Sequence, residues 1–376
     1  MRSATTILVT CVALLLTLGL VMLYSARMTQ DGANLLMMQL IWAGVGLVCC
    51  GVAATVDYKH LRKVSLVLLI FSAVLLVLVL VPIPGVTGAI NGSHRWFRLG
   101  PIRFQPSELG KLALIVFLAH YGERYQRHMG TFFQGLLIPG AVIGLILGLI
   151  VIETDVGCTL LLGAVSGALL VIAGVKWRHI LPPVLIGVLA ISTFVYFNAT
   201  RSKRIQAWLK PEESRLGVGR QTDQSMIAIG SGGLTGRGLG EGRQKQGFVP
   251  EHHTDFILSV IGEELGLIAT LGVLLCFIVL VCCGFYIAWR ARETFGLLLG
   301  SGLSFLIGLQ AFINIGVVTG ALPNKGMPLP FISYGGSNLL VMLCAVGLLL
   351  NIARHAPETS TRRRNPFGEE SVPQSS

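Results

Sequence analysis

Charge is what this sequence has least of. Asp, Glu, Lys and Arg make up 12% of its 376 residues, about half the share found in soluble globular proteins, and that scarcity excludes a soluble enzyme. The eight cysteines include no C-x-x-C and all lie within apolar runs, so neither a disulfide framework nor a redox or zinc motif is indicated and they read as small packing residues. The glycine-rich stretch 230–242 contains no G-x-x-x-x-G-K-[ST] and no G-x-G-x-x-G, which removes both nucleotide-binding fingerprints.

Long uncharged runs take the place of that charge. Nine stretches of twenty residues or more lack Asp, Glu, Lys and Arg: 3–26, 32–56, 64–94, 128–152, 156–175, 179–200, 265–289, 294–324 and 326–353. About 20 apolar residues of helix span a bilayer core, and uniformly apolar runs do not carry the alternation of a barrel strand. The spacing therefore predicts an all-α polytopic membrane protein of about ten transmembrane helices, with one long external loop at about 200–255. Arg2 ahead of the first run resembles a signal peptide, but the number of spans behind it favours a retained helix. The tenth span is the uncertain one. Residues 105–121 hold Glu108 and Lys111, and counting Lys and Arg in the loops does not separate nine spans from ten. Gln105-Pro106-Ser107-Glu108 decides for ten, since proline in a first turn and an acid near a helix N-terminus mark a helix start. A membrane domain over 1–355 and a disordered, basic cytoplasmic tail over 356–376 follow.

An ionisable residue within a span is costly and signals function. Glu108, Glu153, Asp155 and Asp255 all fall at the external end in the ten-span arrangement, with Lys111 three residues after Glu108. Each has a plainer reading. Glu108 and Lys111 make an i, i+3 pair, Glu153 and Asp155 sit in a turn where solvation and capping suffice, and Asp255 caps a helix. Glu263 and Glu264, two turns into a helix, need a buried cation or a proton. His252 and His253 read as loop residues, because no Cys or acid sits at metal-binding spacing. The external loops are basic: 83–105 carries Arg95, Arg98 and Arg103 without an acid, and the long loop has nine cations against six acids. Positive charge on that side runs against the usual bias, and either an anionic ligand, other than nucleic acid, or solvation alone accounts for it. Seven glycines lie within 230–242, either as a flexible loop or for close backbone approach to a diphosphate or sugar.

Six segments then carry a resemblance. Val249–Gly266 (VPEHHTDFILSVIGEELG), Arg95-Trp96 with Phe104–Lys111 (FQPSELGK), Thr154–Gly157 (TDVG), Gln224–Gly233 (QSMIAIGSGG) and Pro330–Gly336 (PFISYGG) stand in the order found in the SEDS family. These shape, elongation, division and sporulation proteins are membrane peptidoglycan glycosyltransferases. Gln244-Lys245 and Asn324-Lys325-Gly326 are similar to the division branch more than to the elongation branch. The departures are small: a second histidine at His252-His253, Thr154 where proline is common, and Gly110 and Cys158 where other small residues are common.

The resemblance implies ten spans in a bacterial cytoplasmic membrane with both termini inside. It also implies polymerisation of lipid II, an undecaprenyl diphosphate-linked disaccharide, on the outer face, beside a class B penicillin-binding protein. Asp255 matches the family's essential aspartate and takes the role of general base. Arg95, Lys111, Arg204 and Lys245 become candidates for diphosphate contact, Glu108 for orienting Lys111, and Ser333 for substrate contact. A divalent cation is compatible with the carboxylates, but no metal-ligand spacing requires one. A lipid II flippase, the elongation member of the family and a non-catalytic scaffold are the alternatives; ionisable groups gathered on one side argue against the flippase.

Overall fold

The computed structural model describes residues 1–26, 32–81, 83, 86–87, 95–100, 102–214, 217, 219–242 and 254–356. Lys245, the His252-His253 pair and the tail from 357 onward lie outside the described residues.

The described chain is helical apart from one small hairpin. In order come α1 (Arg2–Ala26), α2 (Gly32–Thr55) and α3 (His60–Leu80), then β1 (Phe97–Leu99) paired antiparallel with β2 (Ile102–Phe104). They are followed by α4 (Pro106–Arg124), α5 (Ile138–Ile152), α6 (Val156–Ile172), α7 (Trp177–Phe197), α8 (Ala199–Leu209) and α9 (Arg220–Gly232). The chain closes with α10 (Ile257–Trp289), α11 (Thr294–Val318) and α12 (Gly336–His355). Among the described residues eight helices are long and apolar enough to cross a membrane. Two more complete the ten: α6 is apolar but only 17 residues long, and α4 carries Glu108, Lys111, Glu123 and Arg124 over its 19. Hydropathy misses α4 because it scores Glu108 and Lys111 as free charges, whereas the two pair with each other inside the protein. It begins with proline in its first turn, as Gln105-Pro106 predicts.

The centre of the bundle is α4, α11 and α12, whose surfaces are buried along most of their length. In contrast, Ile180 is the one buried residue of α7. The long loop between α7 and α10 contains α8 and α9. Its glycines are spent on packing: a Cβ at Gly232 would strike the Gly262 carbonyl oxygen of α10.

That packing explains a break in α10. Gly266 has φ 79° and ψ −175°, a region essentially restricted to glycine, and it divides α10 into two half-helices. A break leaves carbonyls unpaired on one side and N–H groups on the other. Here the glycine-rich segment supplies both sets of partners. Arg237 N and Gly238 N donate to the Glu263 and Glu264 carbonyls at 3.0 Å each, while Leu267 N and Ile268 N donate to Gly233 O and Leu234 O at 2.9 and 3.3 Å. The close approach foreseen for these glycines is thus to the backbone of α10. Glu263 and Glu264 are fully buried beside it. Glu264 accepts from Ser25 Oγ at 2.5 Å and Gly240 N at 3.1 Å, and Arg237 approaches Glu263 at 3.7 Å. Gly266→Ala is expected to destabilise the protein by about 3 kcal/mol, the upper range for a strained backbone residue, because its Cβ would also strike Gly236 N. Thermal unfolding in detergent checks this, and an unchanged midpoint would show that the break does not hold the segment.

Candidate active site

Asp255, Arg95, the 153–155 turn, α8 and the loop 319–335 all lie at one end of the bundle. The segment that enters α10 brings Asp255 there. Asp255 is not the helix cap: that position is Phe256, with no side-chain capping bond. Its carbonyl accepts from Asn314 Nδ2 at 2.8 Å, and the same amide group donates to Met327 O at 2.6 Å. One side chain of α11 thereby ties the start of α10 to the loop. The Asp255 carboxylate faces Gly326 so closely that a Cβ there would strike Oδ2.

The neighbouring residue carries the loop to a second acid. The Lys325 side chain crosses the N-terminus of α6, where a Cβ on Gly157 would collide with it, and its ammonium lies 3.9 Å from Asp155 Oδ1. Arg95 Nη1 stands 3.9 Å from Asp155 Oδ2. Asp155 also caps α6 through Cys158 N at 3.2 Å, as the turn reading predicts. Three cations surround this turn. Arg95 Nε donates to Glu153 O at 2.9 Å and its Nη2 to Thr154 O at 2.7 Å, and Arg201 Nη2 reaches the same Thr154 carbonyl at 3.1 Å. Thr154 has φ +67°, unusual for a β-branched residue and inaccessible to proline. The threonine in place of proline therefore goes with a turn of its own geometry, held by two arginines.

Glu153 corrects the solvated reading. It is 1% exposed, and neither carboxyl oxygen has a hydrogen-bond partner among the described residues. Burial, with Asp155 adding to it, pushes its pKa up to about 8, so it is neutral at pH 7. Burial also draws the Lys325 pKa down to about 8. Arg201 is lowered too, by burial first and then by Arg95 and Arg204.

Beneath this surface lies a buried polar layer. Lys111, 2% exposed, bonds Glu108 Oε2 at 2.8 Å and Gln310 Oε1 at 3.1 Å. Asn338 Nδ2 donates to the same Glu108 oxygen at 3.0 Å, and Gln310 Nε2 to Pro328 O at 2.9 Å. The i, i+3 pair is present, and it braces α4 against α11, α12 and the loop. Ser333 also faces inward: buried, it accepts from Leu329 N at 2.8 Å. Arg204 is exposed on α8. The structure thus brings together Asp255, Arg95 and Asp155, adds Lys325 and Arg201, sets Glu108, Lys111 and Ser333 behind them, and leaves Arg204 at the periphery. Lys325 has a sequence signal, as the one charged residue between 294 and 353. Arg201 has none beyond its place in a basic loop. Among the described residues no three His, Cys, Asp or Glu side chains converge as a metal site.

Known proteins are similar to this chain in sequence and fold. The family model FtsW/RodA/SpoVE, described as "Cell cycle protein", matches residues 5–358. A relative in Trichlorobacter lovleyi, "Probable peptidoglycan glycosyltransferase FtsW", is 43% identical over 92% of this chain and 92% of its own. Among solved structures, a chain of a peptidoglycan synthase complex studied for the coordination of polymerization and crosslinking superposes with a TM-score of 0.79. It is 30% identical and is matched over 92% of this chain and 96% of that one. The rod shape determining protein RodA of Thermus thermophilus has a TM-score of 0.69 and 29% identity, over 93% and 97% of the two chains.

Proposed function

From the premise that this chain belongs to the FtsW/RodA/SpoVE family of multi-pass membrane proteins, we infer that it is a peptidoglycan glycosyltransferase. It polymerises lipid II into glycan strands on the outer face of the cytoplasmic membrane, during cell division. Both termini face the cytoplasm, and a class B penicillin-binding protein crosslinks the product. The observation that carries the reading is the adjacency of Asp255 to Gly326, one residue from a lysine that reaches the Asp155–Arg95 cluster.

Glycan extension forms a bond between an acceptor hydroxyl oxygen and a donor anomeric carbon, and breaks the bond from that carbon to the diphosphate. The proton leaves the acceptor hydroxyl for the Asp255 carboxylate, which acts as general base. Negative charge grows on the departing undecaprenyl diphosphate, and Lys325, Arg95 and Arg201 stabilise it. Lys111 and Glu108 support these groups from the layer beneath, and Lys245 remains a candidate for diphosphate contact. Polyprenyl chains lie along the apolar helices, with α7 the least covered. The opposite end of the bundle carries Lys59 and Arg62 paired with Glu293 and Glu123, and its cationic loops suit the cytoplasmic side.

Purified protein with lipid II and its partner in vesicles tests this reading. Glycan strands on a gel support it, whereas lipid II translocation without strands would overturn it in favour of a flippase. A pH profile tests the lysine. Lys325 loses its charge as pH rises through about 8, so polymerisation should decline along a limb centred there. Lys325→Arg, whose charge persists beyond pH 12, should move that limb upward by more than two pH units. Glu153→Gln should leave it in place, which separates the lysine from the acid that titrates in the same range.

A further inference from the structure

The helix α8 carries Arg201 on its inner side and presents a second, outer surface. The span α7 ends at Phe197, and α8 begins two residues later at Ala199, with Asn198 between them accepting from Arg201 N at 3.3 Å. The 21 residues of α7 extend about 31 Å at about 1.5 Å per residue, the full depth of a bilayer's hydrocarbon core. So short a connection fixes α8 at the membrane surface. Its composition fits that depth. Ile205 and Leu209, one turn apart, are 37% and 66% exposed, beside Trp208 at 40%. Around the helix from this apolar stripe stand the exposed Lys203 and Arg204, with no acid within ion-pair distance among the described residues. Trp208 Nε1 donates to Gly320 O at 3.1 Å and Arg201 turns inward to Thr154, so the helix is anchored on one side while its stripe and its two outer cations remain uncovered.

We propose that α8 is a binding site for anionic phospholipid. Ile205 and Leu209 enter the acyl boundary, and Lys203 and Arg204 hold the phosphate diester of the headgroup. A helix with one apolar edge, an interfacial tryptophan and cations on its polar side binds at the lipid surface in this way. The charge selects an anionic lipid over a zwitterionic one. Arg201 sits on the same helix as the lipid-facing cations, so the bound lipid also holds that arginine at a fixed depth beside Thr154.

Native mass spectrometry of the full chain, released from vesicles of equal phosphatidylglycerol and phosphatidylcholine without lipid II, tests the proposal. Wild type should retain phosphatidylglycerol preferentially. Lys203→Gln with Arg204→Gln should lower that preference about 25-fold, taking about fivefold per cation near an anionic surface, and Lys203→Arg with Arg204→Lys should restore it. Unchanged retention in the glutamine variant would overturn the proposal. Displacement of the phosphatidylglycerol by undecaprenyl diphosphate would also overturn it, by assigning the site to the substrate. A lowered unfolding temperature that the charge-conserving pair fails to rescue would show a structural role instead. All of these readouts are independent of polymerisation, so they stand apart from the enzymatic reading.

Discussion

Asp255→Asn is expected to abolish lipid II polymerisation while leaving the protein folded and able to hold its partner. Loss of a general base costs about 100- to 10,000-fold. Asparagine matches the shape of aspartate but cannot take the proton from an acceptor hydroxyl. The backbone carbonyl of residue 255, held by Asn314, is untouched by the change. The carboxylate lies against Gly326, where a Cβ would have to displace it, and the amide occupies the same space. Gel analysis of glycan products with purified partner reads the activity, and thermal unfolding in detergent reads the fold. Product at near wild-type level would remove Asp255 from the base role. A matched fall in unfolding temperature would instead show that the charge was structural.

The parts of this site that are local in the chain are legible in the sequence itself. Pro106 at the start of α4, the Glu108–Lys111 pair and Asp155 as a cap each depend on neighbours within four residues, so spacing alone reveals them. Arg201 and Lys325 meet Thr154 and Asp155 across long stretches of chain, and the pairing follows from how the helices pack. Burial of Glu153 is hidden from sequence for the same reason: a turn between two spans reads as solvated, yet Arg95, 58 residues upstream, folds over it. The break at Gly266 has a weaker signal. In a helix apolar on every side, periodicity marks no face, and a single glycine is tolerated in such a run. Its cause lies in an earlier part of the chain, in the segment Gly233–Gly238 whose backbone completes both half-helices.

Lys111→Met should destabilise the protein by about 3–5 kcal/mol, and Glu108→Gln added to it should recover most of the loss. The pair is buried on both sides, with side-chain exposures of 2% and 6%. Removing the ammonium leaves Glu108 with Asn338 as its remaining donor, and an uncompensated carboxylate in low dielectric carries a penalty of that size. Replacing both charges removes the penalty together with the attraction, which is why buried pairs are often nearly neutral when exchanged whole. Gln310 and Asn338, which flank the pair from α11 and α12, retain partners in a Glu108→Gln background because glutamine accepts and donates. Unfolding of the two single variants and the double variant in detergent gives the coupling between the sites. A single Lys111→Met variant as stable as wild type would show that the ammonium does not compensate Glu108. The polar layer beneath the active surface would then owe its stability to the amides of α11 and α12.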